Sequence, residues 1–235
     1  MISSHHQCVF IHIPKCGGQS VEQAFLDDLG LSWKQRAPLL LKPNPDPAQG
    51  PPFLSHLTFR EYLDLGYLTP KEMADFFSFA LVRNPYHRVV SFYRFLGYDC
   101  ALPFETFVQR TLPQLLEPGA ALHYFVRPQL DFLLNTLGEI GPKAVIRLED
   151  GAAIQACLER FGLKALPHRN RSKDRSGPRR ILVRTRYWMK GCFHQSLRID
   201  SRIHWTPELR DTIERLYRVD FESLGYDRGP PPARA

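Results

Sequence analysis

A short segment near the start of the chain, VFIHIPKCGGQSVEQAFLDDLG (residues 9–30), joins a strand pattern directly to a helix pattern. Its first half is a continuous apolar and β-branched run, which is typical of a buried strand. Its second half has helical spacing and ends at Gly30, a residue type that often terminates helices. The turn between them holds Lys15, Gly17 and Gly18. Such a segment restricts the chain to folds in which helices adjoin a sheet.

The rest of the chain repeats this alternation. Buried-strand patterns occur at FSFALV (residues 77–82) and KAVIRLE (residues 143–149), and a helix pattern follows each of them. Strands that alternate with helices indicate an α/β fold with a mainly parallel central sheet flanked by helices. One long helix is predicted over residues 206–221. The length of 235 residues predicts a single domain over residues 1–228, and the Pro-rich tail from 229 to 235 is expected to be disordered.

Composition excludes several classes of protein. The chain is 43% hydrophobic and 23% charged, which is ordinary for a soluble globular protein. No apolar run approaches the roughly 20 residues that a membrane-spanning helix needs, and no signal-peptide pattern opens the chain. Five scattered cysteines without a CxxC pair indicate reduced thiols rather than a disulfide framework or a zinc site. We therefore expect a cytoplasmic protein without a membrane anchor or a bound metal.

The positive charge of the chain is concentrated in one segment. The net charge is +7, whereas residues 168–190 alone carry nine Lys or Arg and one Asp, a net charge of +8. A local basic patch indicates an anionic partner, but a nucleotide, an acidic sugar and a nucleic acid all fit that description. The alternative is that much of this segment, including Arg179, Arg180, Arg184 and Arg186, forms a solvated face.

The turn after the first strand has the features of a phosphate-binding loop. The amides of Gly17, Gly18, Gln19 and Ser20 are expected at a helix N-terminus, where backbone N–H groups and the helix dipole attract anions. Glycine lets the backbone approach phosphate oxygens closely, and Lys15 adds a positive charge. The lysine precedes the glycines, so the turn differs from the nucleoside-triphosphate loop GxxxxGK[ST]. The alternative interpretation is a tight strand–helix turn with an exposed lysine.

A second candidate anion site follows the strand FSFALV. The sequence RNPYHRVVSFY places Arg83 at the carboxyl end of that strand and Ser91 within the next helix. Arginine binds phosphate in a bidentate manner, and ligands of open α/β sheets bind beyond the carboxyl ends of the strands. Two such strand ends indicate a ligand with phosphates at both ends. The alternative is that Arg83 and Arg88 form surface ion pairs.

Together these motifs resemble those of the sulfotransferases. IPKCGGQS resembles the 5′-phosphosulfate loop of that family, and RNPYHRVVSFY resembles its 3′-phosphate motif. SHLTFREY, RPQLDFL, LPHRNRS and DFESLGYD add matches along nearly the whole chain. Their order is similar to that of the carbohydrate branch that includes the heparan 2-O-sulfotransferases, and the short start resembles a soluble bacterial-type member. Cys16 stands where the family usually has threonine. Because a thiol is a weaker hydrogen-bond donor than a hydroxyl, we expect the backbone amides of the loop to contribute more to phosphate binding.

The resemblance implies a P-loop-like sulfotransferase fold and 3′-phosphoadenosine 5′-phosphosulfate (PAPS) as the sulfuryl donor, with adenosine 3′,5′-bisphosphate as product. Lys15 would neutralise the bridging oxygen and the 5′-phosphate. The other residues implied in donor binding fall into three groups: Gly17, Gly18, Gln19 and Ser20 at the 5′-phosphate, Arg83 and Ser91 at the 3′-phosphate, and Arg171 and Ser172 in a basic loop over the nucleotide.

Transfer to an acceptor hydroxyl also calls for a general base, and histidine suits that role near neutral pH. His56 in SHLTFREY resembles the catalytic histidine motif of the heparan-type enzymes, and His123 and His168 are weaker candidates. The alternative for His56 is a histidine that only packs beside a helix.

The sequence leaves the acceptor open between a carbohydrate and a small molecule, each sulfated on oxygen or nitrogen. A nucleotide kinase would need a Walker loop and a magnesium-binding Asp, and neither is found. A nucleic-acid-binding module would need aromatic residues throughout the basic segment, where Tyr187 and Trp188 occur only near its end. We therefore expect no nucleic-acid partner. A relative that binds PAPS without turnover also stays open.

Overall fold

The structure is a computed structural model that describes residues 1–163 and 203–229. The described residues cluster into two compact units. The first unit consists of residues 1–84 and 127–163, and the second consists of residues 85–126 and 203–229. One domain over residues 1–228 stays a prediction, and each unit is described by itself below. The predicted disordered tail lies outside the described residues beyond Gly229.

A four-stranded sheet forms the centre of the first unit within the described residues, in the order β1-β2-β3-β4. The strands are β1 (Ile2–Ser3), β2 (Cys8–Ile11), β3 (Phe77–Val82) and β4 (Ala144–Arg147). β2 pairs in parallel with β3, and β3 pairs in parallel with β4. The short β1 pairs antiparallel with β2. The predicted α/β fold with a mainly parallel sheet flanked by helices is confirmed, whereas β1 was not predicted.

Helices of the first unit flank this sheet. The helices of the second unit come from two separate segments of the sequence. The helices of the first unit are α1 (Gly18–Asp28), α2 (Phe59–Asp64), α3 (Pro70–Asp75) and α8 (Gly151–Glu159). Those of the second unit are α4 (Pro85–Phe95), α5 (Phe104–Thr106), α6 (Leu112–Leu116), α7 (His123–Val126), α9 (Pro207–Leu216) and α10 (Arg218–Leu224), with one π-helical turn at Phe107–Thr111.

Local sequence accounts for the starts of the short helices. Thr58 accepts a hydrogen bond from the amide of Glu61, whose carboxylate in turn accepts from the amide of Thr58. Thr69 and Glu72 form the same reciprocal pair at the start of α3. Both are capping boxes, as the spacing predicts, and they satisfy amides that a helix start leaves without intrahelical partners. This local stabilisation matters because α2 and α3 have only six residues each.

The core of the first unit explains why its strands read as continuous apolar runs. All four residues of β2 are buried, and so are the last five of β3. Parallel strands covered on both faces lack the alternation of a half-exposed strand. Phe79 of β3 packs with Phe10 at 4.9 Å and with Phe25 of α1 at 6.4 Å between ring centroids. These contacts attach α1 to the sheet and so set the direction of its N-terminus.

The second unit contains a buried ion pair. The guanidinium of Arg88 on α4 lies 4.0 Å from the carboxylate of Asp220 on α10, and both side chains are at most 1% exposed. Arg88 also stacks over the ring of Phe92 at 4.6 Å. Removing one partner of such a pair leaves a buried charge uncompensated. Arg88 therefore belongs to the core of the second unit. The alternative that Arg88 forms an ion pair on the surface is wrong, because its ion pair is buried.

The prediction of one continuous helix over residues 206–221 is wrong in one respect. The structure has two helices in this segment, because α9 ends at Tyr217 and α10 begins there. The hydroxyl of this buried tyrosine donates to the carbonyl of Val126 at 2.9 Å. The backbone at Tyr217, with φ −117° and ψ 29°, departs from helical geometry. Tertiary contact thus overrides a sequence pattern that would suit one continuous helix.

Among the residues that the structure describes, no helix is both long enough and apolar enough to cross a membrane.

Candidate active site

The loop between β2 and α1 turns sharply through two left-handed residues. Lys15 has φ +69°, and Gly17, the residue that caps α1, has φ +83°. A non-glycine residue in this region costs on the order of 1–3 kcal/mol, and such strain clusters at functional sites. Glycine would relieve the strain at position 15, but it would remove the ammonium group. The conformation therefore points to a requirement for the lysine side chain itself.

The two glycines of the loop are required for different reasons. A Cβ atom added to Gly18 would overlap the buried ring of His12, so α1 approaches the end of β2 at a distance that only glycine permits. Gly17 has φ +83°, a conformation that other residues rarely adopt, and the nearest atom to an added Cβ is the flexible end of the Leu148 side chain. The sequence interpretation assigned the glycines to phosphate approach, and the structure adds these two reasons.

The N-terminus of α1 lies next to Lys15 in the chain and carries the first-turn amides of the helix. A helix N-terminus directs these N–H groups and the positive end of its dipole outward. The amide of Ser20, however, donates to the carbonyl of Gly17 at 3.0 Å. This bond closes the first turn of α1. The role of Ser20 at the 5′-phosphate stays a prediction, and its side chain is half-buried.

Arg83 lies beside this loop. It follows β3 directly, and β3 pairs in parallel with β2, so both loops leave the same edge of the sheet. The Nη1 atom of Arg83 donates to the carbonyl of Lys15 at 3.3 Å. The structure thus brings the side chain of Arg83 to the backbone of Lys15, 68 positions away in the sequence.

A residue with no role assigned at the sequence level connects these two loops. Gln129 is fully buried, and its amide accepts from the backbone N–H of Arg83 and donates to the Arg83 carbonyl, both at 2.8 Å. The same side-chain oxygen accepts from the thiol of Cys16 at 3.1 Å. Through these hydrogen bonds, Gln129 holds the backbone of Arg83 next to the loop that contains Lys15 and Cys16. In the sequence, Gln129 lies within RPQLDFL, one of the segments that carry the family resemblance, and this position could have identified it as a candidate.

The environment of Cys16 bears on the departure from threonine noted in the sequence. Its side chain is 1% exposed, and the thiol also approaches the carbonyl of Pro14 at 3.6 Å. The sulfur is thus directed into the protein toward Gln129. The substitution acts on the packing of the loop through this contact.

We expect Gln129→Leu to destabilise the protein markedly. Leucine preserves the volume but removes both hydrogen bonds to the part-buried backbone of Arg83, and the loss of such a bond costs about 1–3 kcal/mol for each group. Urea unfolding measures the difference in the free energy of unfolding. Gln49→Leu, at an exposed position of the same unit, is the matched control and should stay close to wild type. Equal stability of the two variants would show that the Gln129 contacts contribute nothing.

His56 is held to the end of β2 by the backbone. It closes a 3-10 turn over Leu54–His56, just before α2. Its Nδ1 lies 3.0 Å from the carbonyl of His12, three residues before Lys15. A carbonyl only accepts, so Nδ1 carries the proton and Nε2 carries the lone pair. A neutral imidazole in this tautomer presents Nε2 as the basic nitrogen.

The surroundings of His56 keep its ring neutral. Burial lowers the pKa of His56 well below its ordinary value of 6.5. Electrostatic interactions with His12, the N-terminal amine and Arg127 also lower this pKa, and the hydrogen bond to the His12 carbonyl only partly opposes them. The imidazole is therefore uncharged at neutral pH, which is the form that a general base must have.

His12 contacts both α1 and His56. Its Nδ1 is 2.5 Å from the carboxylate of Glu22 on α1, and both side chains are buried. Its ring lies edge-on to the ring of His56, with 4.7 Å between the centroids. Because the His12 ring also lies against Gly18, the pair with Glu22 sets the positions of α1 and His56 at once.

The remaining predicted site residues belong to the second unit or fall outside the described residues. Ser91 is half-buried on α4 in the second unit. His123 is in the same unit, where its Nδ1 donates to the carbonyl of Leu116 at 2.9 Å. His168, Arg171, Ser172 and the rest of the basic segment lie outside the described residues. The predicted roles of Ser91, Arg171 and Ser172 stay predictions.

These features define an α/β protein with cationic and histidine side chains at the end of two parallel strands. The family model described as the Sulfotransferase family matches residues 1–121, about half of the chain. The chain therefore belongs to the Sulfotransferase family, and its class of reaction is sulfuryl transfer. The match includes Lys15, His56, Arg83 and Ser91. The comparisons with curated proteins and with solved structures returned no similar protein.

Proposed function

We propose that this protein transfers the sulfuryl group of PAPS to a hydroxyl of a carbohydrate or small-molecule acceptor. One observation carries the proposal: the strained Lys15 loop, Arg83 and the neutral His56 are all anchored to the same two strand ends. The strand ends supply charges for the phosphates of a nucleotide donor, and His56 supplies a base for the acceptor. Membership of the Sulfotransferase family gives the class of reaction.

In the proposed donor complex, the first-turn amides of α1 and the ammonium group of Lys15 bind the 5′-phosphosulfate. The family resemblance assigns Arg83 to the 3′-phosphate. The guanidinium of Arg83 is a planar group with five N–H donors, of the kind that pairs with phosphate, and its Nη1 donates to the Lys15 carbonyl. The chemistry of this donor set fits an anionic nucleotide.

In the proposed transfer step, Nε2 of His56 removes the proton of the acceptor hydroxyl while that oxygen forms a bond to sulfur. The bond between sulfur and the phosphate oxygen breaks, and the negative charge passes to adenosine 3′,5′-bisphosphate. Lys15 stabilises the charge that develops on the departing oxygen, which is where a fixed cation accelerates such a reaction. The products are a sulfate ester and the bisphosphate.

The proposal extends to the class of acceptor and to the branch of the family. Similarity of the motifs favours a carbohydrate hydroxyl and the heparan 2-O-sulfotransferase-like branch, and a small-molecule hydroxyl is the alternative. We also propose a reducing, cytoplasmic location, because Cys8, Cys16, Cys100 and Cys157 are all thiols. A nucleotide- or nucleic-acid-binding protein without sulfuryl transfer is the competing hypothesis.

Sulfuryl transfer is tested directly with labelled PAPS and a panel of sugars and small hydroxylated metabolites. The proposal expects label in at least one acceptor and an equal amount of adenosine 3′,5′-bisphosphate by mass spectrometry. A heat-inactivated sample controls for spontaneous transfer. Tight binding of the donor with no labelled acceptor across the panel would favour the competing hypothesis.

We expect adenosine 3′,5′-bisphosphate to stabilise the fold. At a hundredfold excess over its Kd the gain is about 2.7 kcal/mol, which for a chain of this size corresponds to a rise in Tm of roughly 5–10 °C. ATP should give a smaller rise because it lacks the 3′-phosphate. Thermal unfolding with each nucleotide measures the difference. Equal rises would contradict the assignment of Arg83 to a 3′-phosphate.

A further inference from the structure

Three potential metal-ligating side chains meet at the other end of α1. His5 and His6 lie in the turn between β1 and β2, and Asp28 is the last residue of α1. One ligand atom from each residue lies within 4.8 Å of the other two. The Nε2 atom of His6 is 3.0 Å from the Asp28 carboxylate. Two imidazoles and a carboxylate therefore converge from two elements that are separate in the sequence.

His6, the central residue of this trio, is held in place by a hydrogen bond and by aromatic packing. The hydroxyl of Ser3 is 2.6 Å from Nδ1 of His6. The His6 ring packs edge-on against Phe25 at 4.9 Å and against Phe161 at 6.4 Å. A metal-binding histidine characteristically uses its second ring nitrogen for such a hydrogen bond, which sets both the tautomer and the ring orientation. The contact with Ser3 provides that arrangement for coordination through Nε2.

We propose that His5, His6 and Asp28 bind a divalent transition-metal ion such as Zn²⁺. Each histidine supplies one imidazole nitrogen, and Asp28 supplies a carboxylate oxygen. The ion takes the place of the hydrogen bond between His6 and Asp28, and Nδ1 of His6 then donates to the Ser3 hydroxyl. Imidazole with one carboxylate suits Zn²⁺, Ni²⁺ or Cu²⁺, whereas Mg²⁺ and Ca²⁺ prefer oxygen ligands alone.

The surroundings leave room for the rest of the coordination shell. His5 and Asp28 are exposed. His5 also borders an open cleft of about 350 Å³, which Leu29, Leu31 and Leu39 line in part. Three protein ligands leave one position of a tetrahedral ion for a water molecule.

The position of the site separates it from the proposed reaction. α1 has 11 residues, so its two ends are about 16 Å apart. Lys15 and Gly17 precede its first residue, whereas Asp28 is its last. An ion at Asp28 would connect the β1–β2 turn to the end of α1 and stabilise the folded chain by mass action. The proposal goes beyond the proposed function and stands or fails independently of it.

The test uses the full-length, tag-free protein after removal of metals with a chelator. Isothermal titration with Zn²⁺ should show one saturable site, and Zn²⁺ should raise Tm while Mg²⁺ does not. His5→Ala and Asp28→Asn change exposed residues, so both variants should fold. Each should lose at least the 10–100-fold in affinity that even an outer-shell partner is worth. Ser3→Ala should lose affinity within that range.

Asp27→Asn is the matched control, because it removes a neighbouring exposed carboxylate of the same helix that is not part of the trio. It should bind Zn²⁺ as wild type does. The alternative is that His6 and Asp28 form only a hydrogen-bonded link between the turn and α1. No saturable Zn²⁺ binding by the wild type would establish that alternative. Unchanged affinity in both His5→Ala and Asp28→Asn would likewise overturn the proposal.

Discussion

His56→Ala should lower turnover by roughly 10²–10⁴-fold, the usual contribution of a general base. Donor binding should be nearly unchanged, since the phosphates are proposed to be held by Lys15, the start of α1 and Arg83. Steady-state kinetics with PAPS and an active acceptor measure the first quantity, and the thermal shift with adenosine 3′,5′-bisphosphate measures the second. His123→Ala is the comparison variant, because this half-buried histidine also donates to a backbone carbonyl and is a weaker candidate for the base; it should keep near-normal turnover if His56 is the base.

The pH profile distinguishes a base from a packing residue. His56 acts as a base only when neutral, and its lowered pKa keeps it neutral until the pH falls well below 6.5. The wild type should therefore keep a level kcat/KM from about pH 8 down past 6.5 and lose activity only at lower pH. That acid limb should be absent from the residual activity of His56→Ala. If the variant binds nucleotide and keeps near-normal turnover, His56 is structural, and His123 and His168 become the candidates.

Lys15→Ala should lower turnover by about 10²–10³-fold, which is the range for loss of one fixed group that stabilises a developing anion. Binding of adenosine 3′,5′-bisphosphate should weaken less, because the charge of Lys15 matters most while the bridging oxygen becomes negative. Arg83→Ala should show the opposite balance, with weaker donor binding and a smaller effect on turnover, since the 3′-phosphate does not react. The ratio of the two effects in each variant is the decisive measurement.

Lys15→Gly separates charge from backbone strain. Position 15 has φ +69°, which glycine adopts without cost and alanine does not. Lys15→Gly should therefore be the more stable variant, while both lose turnover to the same extent if the ammonium group is responsible. Turnover retained by Lys15→Gly would assign the loss in Lys15→Ala to the loop conformation. Equal losses of binding and turnover in the Lys15 and Arg83 variants would overturn the separate roles proposed for them.

The sequence alone determined those parts of the protein that depend on neighbouring residues. β3 runs over Phe77–Val82 as predicted, because a continuous apolar run bounded by polar residues identifies a buried parallel strand. The capping boxes at Thr58 and Thr69 lie within four residues of chain. The turn between β2 and α1 was found in the same way, because Lys15 and both glycines are consecutive with the strand and the helix.

Only the tertiary structure decided which distant residues complete these elements. Gln129 reaches Cys16 across 113 positions, and no local pattern reports that a buried amide will pin a particular backbone. The hydroxyl of Tyr217 bonds to Val126, 91 positions away, where a continuous helix was expected. Asp28 meets His6 at the far end of α1. Strand and helix periodicities reflect interactions over a few residues, whereas these contacts arise from packing, which brings remote side chains within hydrogen-bonding distance.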